Sequence, residues 1–519
     1  MFSNSLQAAL NCIEAKDFGM ALEILDDLHG ANPQDPQVNY WLGVIYLTHG
    51  HAARAVDHLQ AAAKSAKKEA AVFATLADAL NLDNRPEDAV PQARKAVALD
   101  KTSEFAHRTL GEAYARLRRP VMAEHAFETA IRLNPSSAIA HLALSRLKVS
   151  LGEMDEAEHH YRQAFALTPD EPSVLISVRD LSDRQIKAQA LERIEAALND
   201  PNRQMSKVER ARMAFTAGKI CDEAGDLPKA FHYLEKHRSD LYPSYDAKKQ
   251  EGFFQKFEEV FTPSFFEERK DFALSSDRPV FVFGMPRSGT SLVEAILSAH
   301  PKAAAAGELN FFEDQIGELS GGAGQEEAFF EAALKLDRKT TQRIGRKYLA
   351  LLDTFGKKSM RVIDKFPQNF EHLWLIALLF PNAHFCHVIR NPADTCVSIY
   401  MTPLAGKHSY NSSQETLAHY YGLYRKLMGR WTTALPVTIH TQSYEELVSH
   451  PEEQRRALVD RAGLPWDEAC SHHEANEAQV FTFSMAQVRR PIYTDAVNKS
   501  GKYSAHIQPL LKALSETVG

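Results

Sequence analysis

Concentrated charge, clustered cysteine and long apolar runs are all missing from this sequence. Its 60 Lys and Arg are interspersed with 67 Asp and Glu, for a formal charge of −7. No segment carries the basic excess of a nucleic-acid footprint, so nucleic acid is not an expected partner. Five cysteines, Cys12, Cys221, Cys386, Cys396 and Cys470, are scattered and odd in number. They form neither zinc-type CxxC pairs nor a dense disulfide framework, and reduced thiols of a cytoplasmic setting are expected. The most apolar stretch, Leu373 to Phe380, is far short of the roughly 20 residues of a membrane span and reads as a buried helix. The opening MFSNSLQAALNCIEAKDFGMALEIL lacks a charged start and a long apolar core; it reads as amphipathic helix, so export is not expected. His159-His160 and His472-His473 read as solvated helix residues, and no metal is expected.

What is present is enough apolar residue, 44% of 519, for two or three cores. The first half repeats itself every 34 residues: Leu42-Gly43, Leu76-Ala77, Leu110-Gly111 and Leu144-Ser145 fall in the same two columns. Ala55, Ala89, Ala123 and Ala157 share another column, as do Ala62, Ala96, Ala130 and Ala164. Small residues at fixed places let two antiparallel helices approach closely, and stacking neighbours completes a core neither helix has alone. These columns resemble the tetratricopeptide repeat over 36–171, with weaker units at 2–35 and 211–244. The resemblance implies an all-α superhelix over 1–245 with a concave groove that binds a peptide or partner protein, or else serves as a spacer or dimerisation arm. Asn39, Asn81 and Asn134 are candidates to present amides to a peptide, or are ordinary cap and solvent residues.

After a helical connector at 246–277, the pattern switches to Val280-Phe281-Val282-Phe283, a run suited to a strand buried on both faces. Gly284-Met-Pro-Arg-Ser-Gly289-Thr290-Ser291 follows, and Ser288 to His300 reads as a helix. A loop between a strand and a helix N-terminus is where an anion belongs, because backbone N–H groups and the helix dipole converge there. The spacing is that of GxxxxGK[ST], but Thr290 holds the Lys place, so the usual nucleoside-triphosphate cation is missing. Arg287 brings charge from inside the loop. Arg361 to Lys365 and Ala383 to Ile389 read as further strands with a helix between them. Lys365 and Arg390 therefore stand at the carboxyl ends of parallel strands, where such sheets bind ligands.

PRSGTS at 286–291, Gly307-Glu308, Asp364-Lys365-Phe-Pro, and Val388-Ile-Arg390-Asn-Pro with Ser398 together resemble the sulfotransferase superfamily. Among its branches they are most similar to the tyrosylprotein sulfotransferases and their bacterial relatives with tetratricopeptide repeats, over about 278–512. The resemblance implies an α/β, P-loop-like domain at 278–519 with a central parallel sheet and 3′-phosphoadenosine 5′-phosphosulfate as sulfuryl donor. It makes Arg287, Ser288, Gly289, Thr290 and Ser291 the phosphosulfate loop, and Arg390 and Ser398 the ligands of the 3′-phosphate. Glu308 takes the place of the catalytic base, against the simpler reading that it caps a helix beginning near Phe311. Lys365 and Ser484 fall where the transition state is stabilised, and Tyr444 and Lys499 match further donor contacts. Two departures stand out: Ser500 replaces an expected aromatic residue, and Thr402 an expected arginine. Lys407 and Arg489 are candidates to restore that charge. The expected acceptor is a protein or peptide tyrosine, with a carbohydrate, lipid or small phenol as alternatives and a homodimer as a possible assembly. A scaffold with a degenerate nucleotide domain is the reading outside enzymology.

Overall fold

The computed structural model describes residues 5–321, 326–404, 408–475, 492 and 496–518. They form two compact units, Met1–Arg184 and Gln185–Gly519.

In the first unit the 34-residue period becomes helix spacing. One set of helices, Pro36–Thr48, Ala70–Leu82, Glu104–Arg116 and Ala138–Leu151, alternates with Ala52–Ser65, Pro86–Leu99, Pro120–Leu133 and Met154–Leu167. The starts are written locally. Asp35, Ser103 and Ser137 accept hydrogen bonds from first-turn N–H groups, and Pro36, Pro86 and Pro120 occupy first helical positions. The alanine columns Ala55/Ala89/Ala123/Ala157 and Ala62/Ala96/Ala130/Ala164 are fully buried. Gly43 and Gly111 mark the closest approaches: a Cβ there would lie 2.5 Å from Leu59 and 2.6 Å from Phe127 of the following helix. The three asparagines make bonds within the repeats. Asn39 donates to the carbonyls of Pro33 and Asp35 at 2.9 and 2.8 Å, and Asn81 to that of Thr109 at 3.1 Å. Asn134 ends a helix and accepts from the Ser136 N–H at 3.1 Å.

In the second unit, helices Lys207–Ala224 and Leu227–Lys236 keep the repeat's internal geometry. A Cβ on Gly218 would meet Leu234, sixteen positions on, at 3.0 Å, the offset that links Gly43 to Leu59. The sequence reading groups this hairpin with the repeats up to 245, whereas its compact unit starts at Gln185. Long-range contacts explain the difference. Arg238, 3% exposed, donates to the Asn411 carbonyl at 2.6 Å and to the Tyr400 carbonyl, and lies 3.5 Å over the Tyr400 ring. The connector helix Ala247–Val260 is likewise core: Phe257 packs on Trp431, and Phe261, just beyond it, stacks on Trp374 at 4.7 Å.

Five strands, β1 (Pro279–Phe283), β2 (Ala303–Gly307), β3 (Arg361–Lys365), β4 (His384–Ile389) and β5 (Ile439–Ser443), form one parallel sheet in the order β2-β3-β1-β4-β5. Side chains alternate along β1. Phe281 and Phe283 face a core with helix Asn369–Leu379, and Val280 and Val282 face one with helix Thr290–Ser298. The chain runs from β1 out to β2, back to β3, then past β1 to β4, so the order reverses at β1 and a crevice opens at its carboxyl end. Among the described residues no helix is long and apolar enough to cross a membrane.

Candidate active site

The loop after β1 is shaped by three residues with positive φ. Gly284 (φ +152) is pressed against β4, where a Cβ would stand 2.3 Å from the Val388 carbonyl oxygen. Gly289 (φ +106) precedes helix Thr290–Ser298, and a Cβ on it would collide with the Tyr444 ring at 2.6 Å. The helix thus starts two residues later than the pattern suggests, because Gly289 is its N-cap. Arg287 holds φ 68 with a Cβ, a conformation costing about 1–2 kcal/mol. That turn aims its side chain across the sheet, and Nε donates to Ser398 Oγ at 3.1 Å. Ser288 is 2% exposed and its Oγ has no hydrogen-bond partner among the described residues. An orphaned buried hydroxyl just before the N-terminus of that helix fits a cradle for an oxyanion.

Lys365 ends β3 with its side chain 0% exposed, and its ammonium donates to Glu308 Oε1. Glu308 is the first residue beyond β2, and its side chain is 41% exposed. Its position is set from behind: buried Glu294, on the loop helix, accepts from the Gly307 N–H at 3.0 Å. Helix Phe311–Leu319 has Asn310 at its N-cap, so capping does not account for Glu308. The result is a carboxylate open to solvent on one side and tied to a buried cation on the other.

Sequence reasoning missed two neighbours of this pair. Asp364 is buried, accepts from Tyr348 Oη at 2.7 Å and Asn369 Nδ2 at 3.3 Å, and burial pushes its carboxyl up to about 7. His408 contacts Tyr410 Oη at 2.6 Å and Gln368 Nε2 at 3.3 Å. Burial pulls its imidazole down to about 4 against the opposing fields of Glu308 and Glu313, leaving a neutral ring near the base candidate. Only the strand-end position of Asp364 was visible in sequence.

The second cluster is cationic. Arg390, just after β4, donates through Nη1 to the Arg287 carbonyl at 3.3 Å and through Nη2 to that of Ala496. Its guanidinium stands 5.0 Å over the Tyr444 ring and 3.7 Å from Asp394, while its buried Nε has no partner among the described residues. Lys499 joins from near the carboxyl end of the chain. Burial, then the like charges of Lys219, Arg287 and Arg390, push its ammonium down to about 8, with only Asp222 opposing. Thr402 is not a substitute cation: Oγ1 turns back and donates to the Ser398 carbonyl at 2.7 Å. Ser500 contributes backbone, its N–H reaching Asp394 Oδ1 at 2.7 Å. Ser484, Lys407 and Arg489 lie outside the described residues. Lys365 ends β3, and Glu308, the loop, Arg390 and Tyr444 follow β2, β1, β4 and β5, so all stand at the carboxyl ends of the five strands.

This end of the sheet coincides with a recognised family segment. A profile described as "Sulfotransferase family" matches residues 279–468, and "Tetratricopeptide repeat" profiles match 13–79 and 108–172. The chain carries a sulfotransferase-family domain behind tetratricopeptide repeats. An uncharacterized protein of Aquifex aeolicus is 32% identical over 354 residues, 66% of this chain and 46% of that protein. The chain thus spans about half of that relative's length. Protein-tyrosine sulfotransferase 1 of Danio rerio is 27% identical over 316 residues, 58% of this chain and 78% of that protein, and its Homo sapiens counterpart 26% over 245 residues, 44% and 63%. A solved tetratricopeptide repeat protein from Parabacteroides merdae superposes with TM-score 0.36 at 20% identity, over 46% of this chain and 92% of its own. The profile match on the sulfotransferase domain holds Arg287, Glu308, Lys365, Arg390, Ser398 and Tyr444 but stops before Lys499.

His473, expected to be solvated, is instead buried, and burial pulls it down to about 4, whereas His472 is exposed. His160 is held against His141 at 3.1 Å and is pulled down to about 4, first by burial and then by its histidine neighbours. Among the described residues no cluster of three or more His, Cys, Asp or Glu is placed to hold a metal ion.

Proposed function

We propose that the sulfotransferase domain moves a sulfuryl group from 3′-phosphoadenosine 5′-phosphosulfate to an acceptor hydroxyl, with a tyrosine of a protein or peptide as the favoured acceptor. The observation that carries this reading is the Glu308–Lys365 pair beside a phosphate-type loop whose Lys place is held by Thr290. A phenol of pKa near 10 loses its proton as the new O–S bond forms, and half-exposed Glu308 is open to receive it. As that carboxylate is neutralised, the Lys365 ammonium is released toward the bridging oxygen, where charge grows as the old S–O bond breaks. Arg287, Ser288 and the loop N–H groups hold the phosphosulfate. Arg390, Ser398 and Lys499 hold the 3′-phosphate, with Tyr444 packed between loop and Arg390. Ser484 is assigned to the same transition state. The tyrosine preference follows the named similarity to protein-tyrosine sulfotransferases and a repeat unit suited to docking a peptide.

The test is transfer of labelled sulfate from the donor to a tyrosine peptide, a sugar and a simple phenol, with Glu308→Ala as control. Label in the peptide, lost in the variant, is the expected result. A fully active Glu308→Ala enzyme would remove the base assignment, and label in the sugar alone would remove the tyrosine assignment. The melting temperature should rise with adenosine 3′,5′-bisphosphate and not with ADP and magnesium.

A further inference from the structure

Asp222 is a buried carboxylate that neither the loop chemistry nor the family match uses. It lies 3% exposed in the last turn of helix Lys207–Ala224, well before residue 279. A carboxylate so buried must be paired, and its partners come from its own helix and from a segment about 280 positions on. Lys502 Nζ donates to Oδ1 at 2.7 Å and Tyr503 Oη to the same oxygen at 2.9 Å. Lys219 Nζ stands 3.8 Å from Oδ2. Tyr503 is fully buried, with its ring 6.0 Å from that of Phe231, which also stacks on His506 at 4.9 Å.

The stretch these contacts hold is the short 3₁₀ segment Lys499–His506, which has no strand pairing to fix it. Its tethers are side chains. Arg390 takes the Ala496 carbonyl, Asp394 takes the Ser500 N–H at 2.7 Å, and Asp222 takes Lys502 and Tyr503. Lys499 lies between the first tether, at Ala496, and the second, at Ser500, and the third grips the chain at Lys502 and Tyr503, just beyond them. Arg390 and Asp394 belong to the sulfotransferase domain proper; Asp222 comes from the repeat-like hairpin in front of it.

We infer that Asp222 is a positioning residue: by latching Lys502 and Tyr503 it holds Lys499 against Arg287 and Arg390, so that the hairpin Lys207–Lys236 completes the site for the donor's 3′-phosphate. The latch rests on the donor reading given above for the ligand that Lys499 meets, but its own geometry does not. It also answers the charge missing at Thr402, since the latched segment supplies a cation from outside the residues that match the family profile.

Two measurements on the full chain separate the latch from the donor reading. The first compares Kd for adenosine 3′,5′-bisphosphate with Kd for AMP in wild type and Asp222→Asn. The expected result is at least a tenfold loss for the bisphosphate and less than a twofold change for AMP. Equal losses for both nucleotides would mean general loosening and overturn the latch, as would no loss. The second follows Lys499 directly, by NMR titration of reductively 13C-methylated protein. Tyr503→Phe, which removes one latch contact but keeps the Asp222 charge that raises Lys499, should move its titration up toward the ordinary lysine range, and an unmoved Lys499 overturns the latch. Should wild type show no preference for the bisphosphate while Lys499 still shifts, the latch stands and the donor reading falls. If Asp222→Asn fails to fold, Tyr503→Phe and Lys502→Met break the same contacts from the other side, with the same outcomes expected.

Discussion

The proposed place of Lys499 at the donor's 3′-phosphate implies that binding of a 3′-phosphorylated nucleotide depends on pH in a way that can be calculated. Its ammonium, ordinarily near 10.5, is pushed down to about 8 by burial and by Lys219, Arg287 and Arg390. A 3′-phosphate, essentially dianionic above pH 7, favours the charged lysine. Above pH 8 the free protein must therefore take up a proton in order to bind. If only the charged form binds, Kd scales as 1 + 10^(pH − 8), a factor of about 1.1 at pH 7 and about 11 at pH 9, so affinity falls roughly tenfold between them. Titration calorimetry at pH 7, 8 and 9, in buffers of different ionisation enthalpy, reads both the affinity and the proton count, which should approach one at pH 9. Lys499→Arg should flatten the profile, because a guanidinium stays charged throughout, and AMP should show no slope. Stability has the opposite sign: between about 8 and 10.5 the unfolded chain binds the extra proton, so this residue's contribution rises with pH. A flat bisphosphate profile, or an equal slope with AMP, would refute the placement of Lys499 in the phosphate site.

Glu308→Gln strands the fully buried Lys365 ammonium and should cost about 1–2 kcal/mol in chemical denaturation, reduced from the value of a fully buried pair because water reaches Glu308. Lys365→Met should be neutral or stabilising, although both variants lose transfer activity, by roughly 10²-fold or more for Glu308→Gln. Asp364, held up to about 7 by burial, keeps a proton that the unfolded chain has lost. Its contribution should fall by roughly 4 kcal/mol as pH rises from about 4 to 7, seen as the difference between wild type and Asp364→Asn in denaturation across that window. Gly111→Ala would place a Cβ 2.6 Å from the Phe127 ring and should lower stability by about 1–3 kcal/mol, read in thermal or chemical melts.

What could be read from sequence was what repeats or sits at a strand end. The repeat helices were legible because their caps, prolines and buried alanines recur at one spacing, each a local cause of structure. The phosphate loop was legible because Gly284 and Gly289 are required by positive φ and close approach. β2 was not, since Ala303 to Ala306 carries no strand preference and is paired only because β3 offers its edge. The hairpin at 207–236 looks like another repeat and is one in its Gly218–Leu234 contact, yet Arg238 and Asp222 commit it to the second unit through bonds that span about 160 to 280 positions. His408 gave no signal at all. It reaches Glu308's field only through chain folding.

The cationic cluster also bears on whether this domain has decayed into a scaffold. Arg287 and Arg390 sit close enough to Lys499 to push its ammonium down, and Arg390 Nε and Ser288 Oγ are buried without hydrogen-bond partners among the described residues. Such an arrangement lowers stability in the absence of an anion, because like charges and orphaned polar atoms both oppose folding. A sequence released from binding would be free to relieve that cost, for instance by replacing Lys499 with a neutral residue or giving Arg390 a closer carboxylate than Asp394 at 3.7 Å. The strain is instead concentrated where the strands end and the loop helix begins. Like charges and orphaned polar atoms gathered at one such place favour the proposed anion-binding role over a decayed domain.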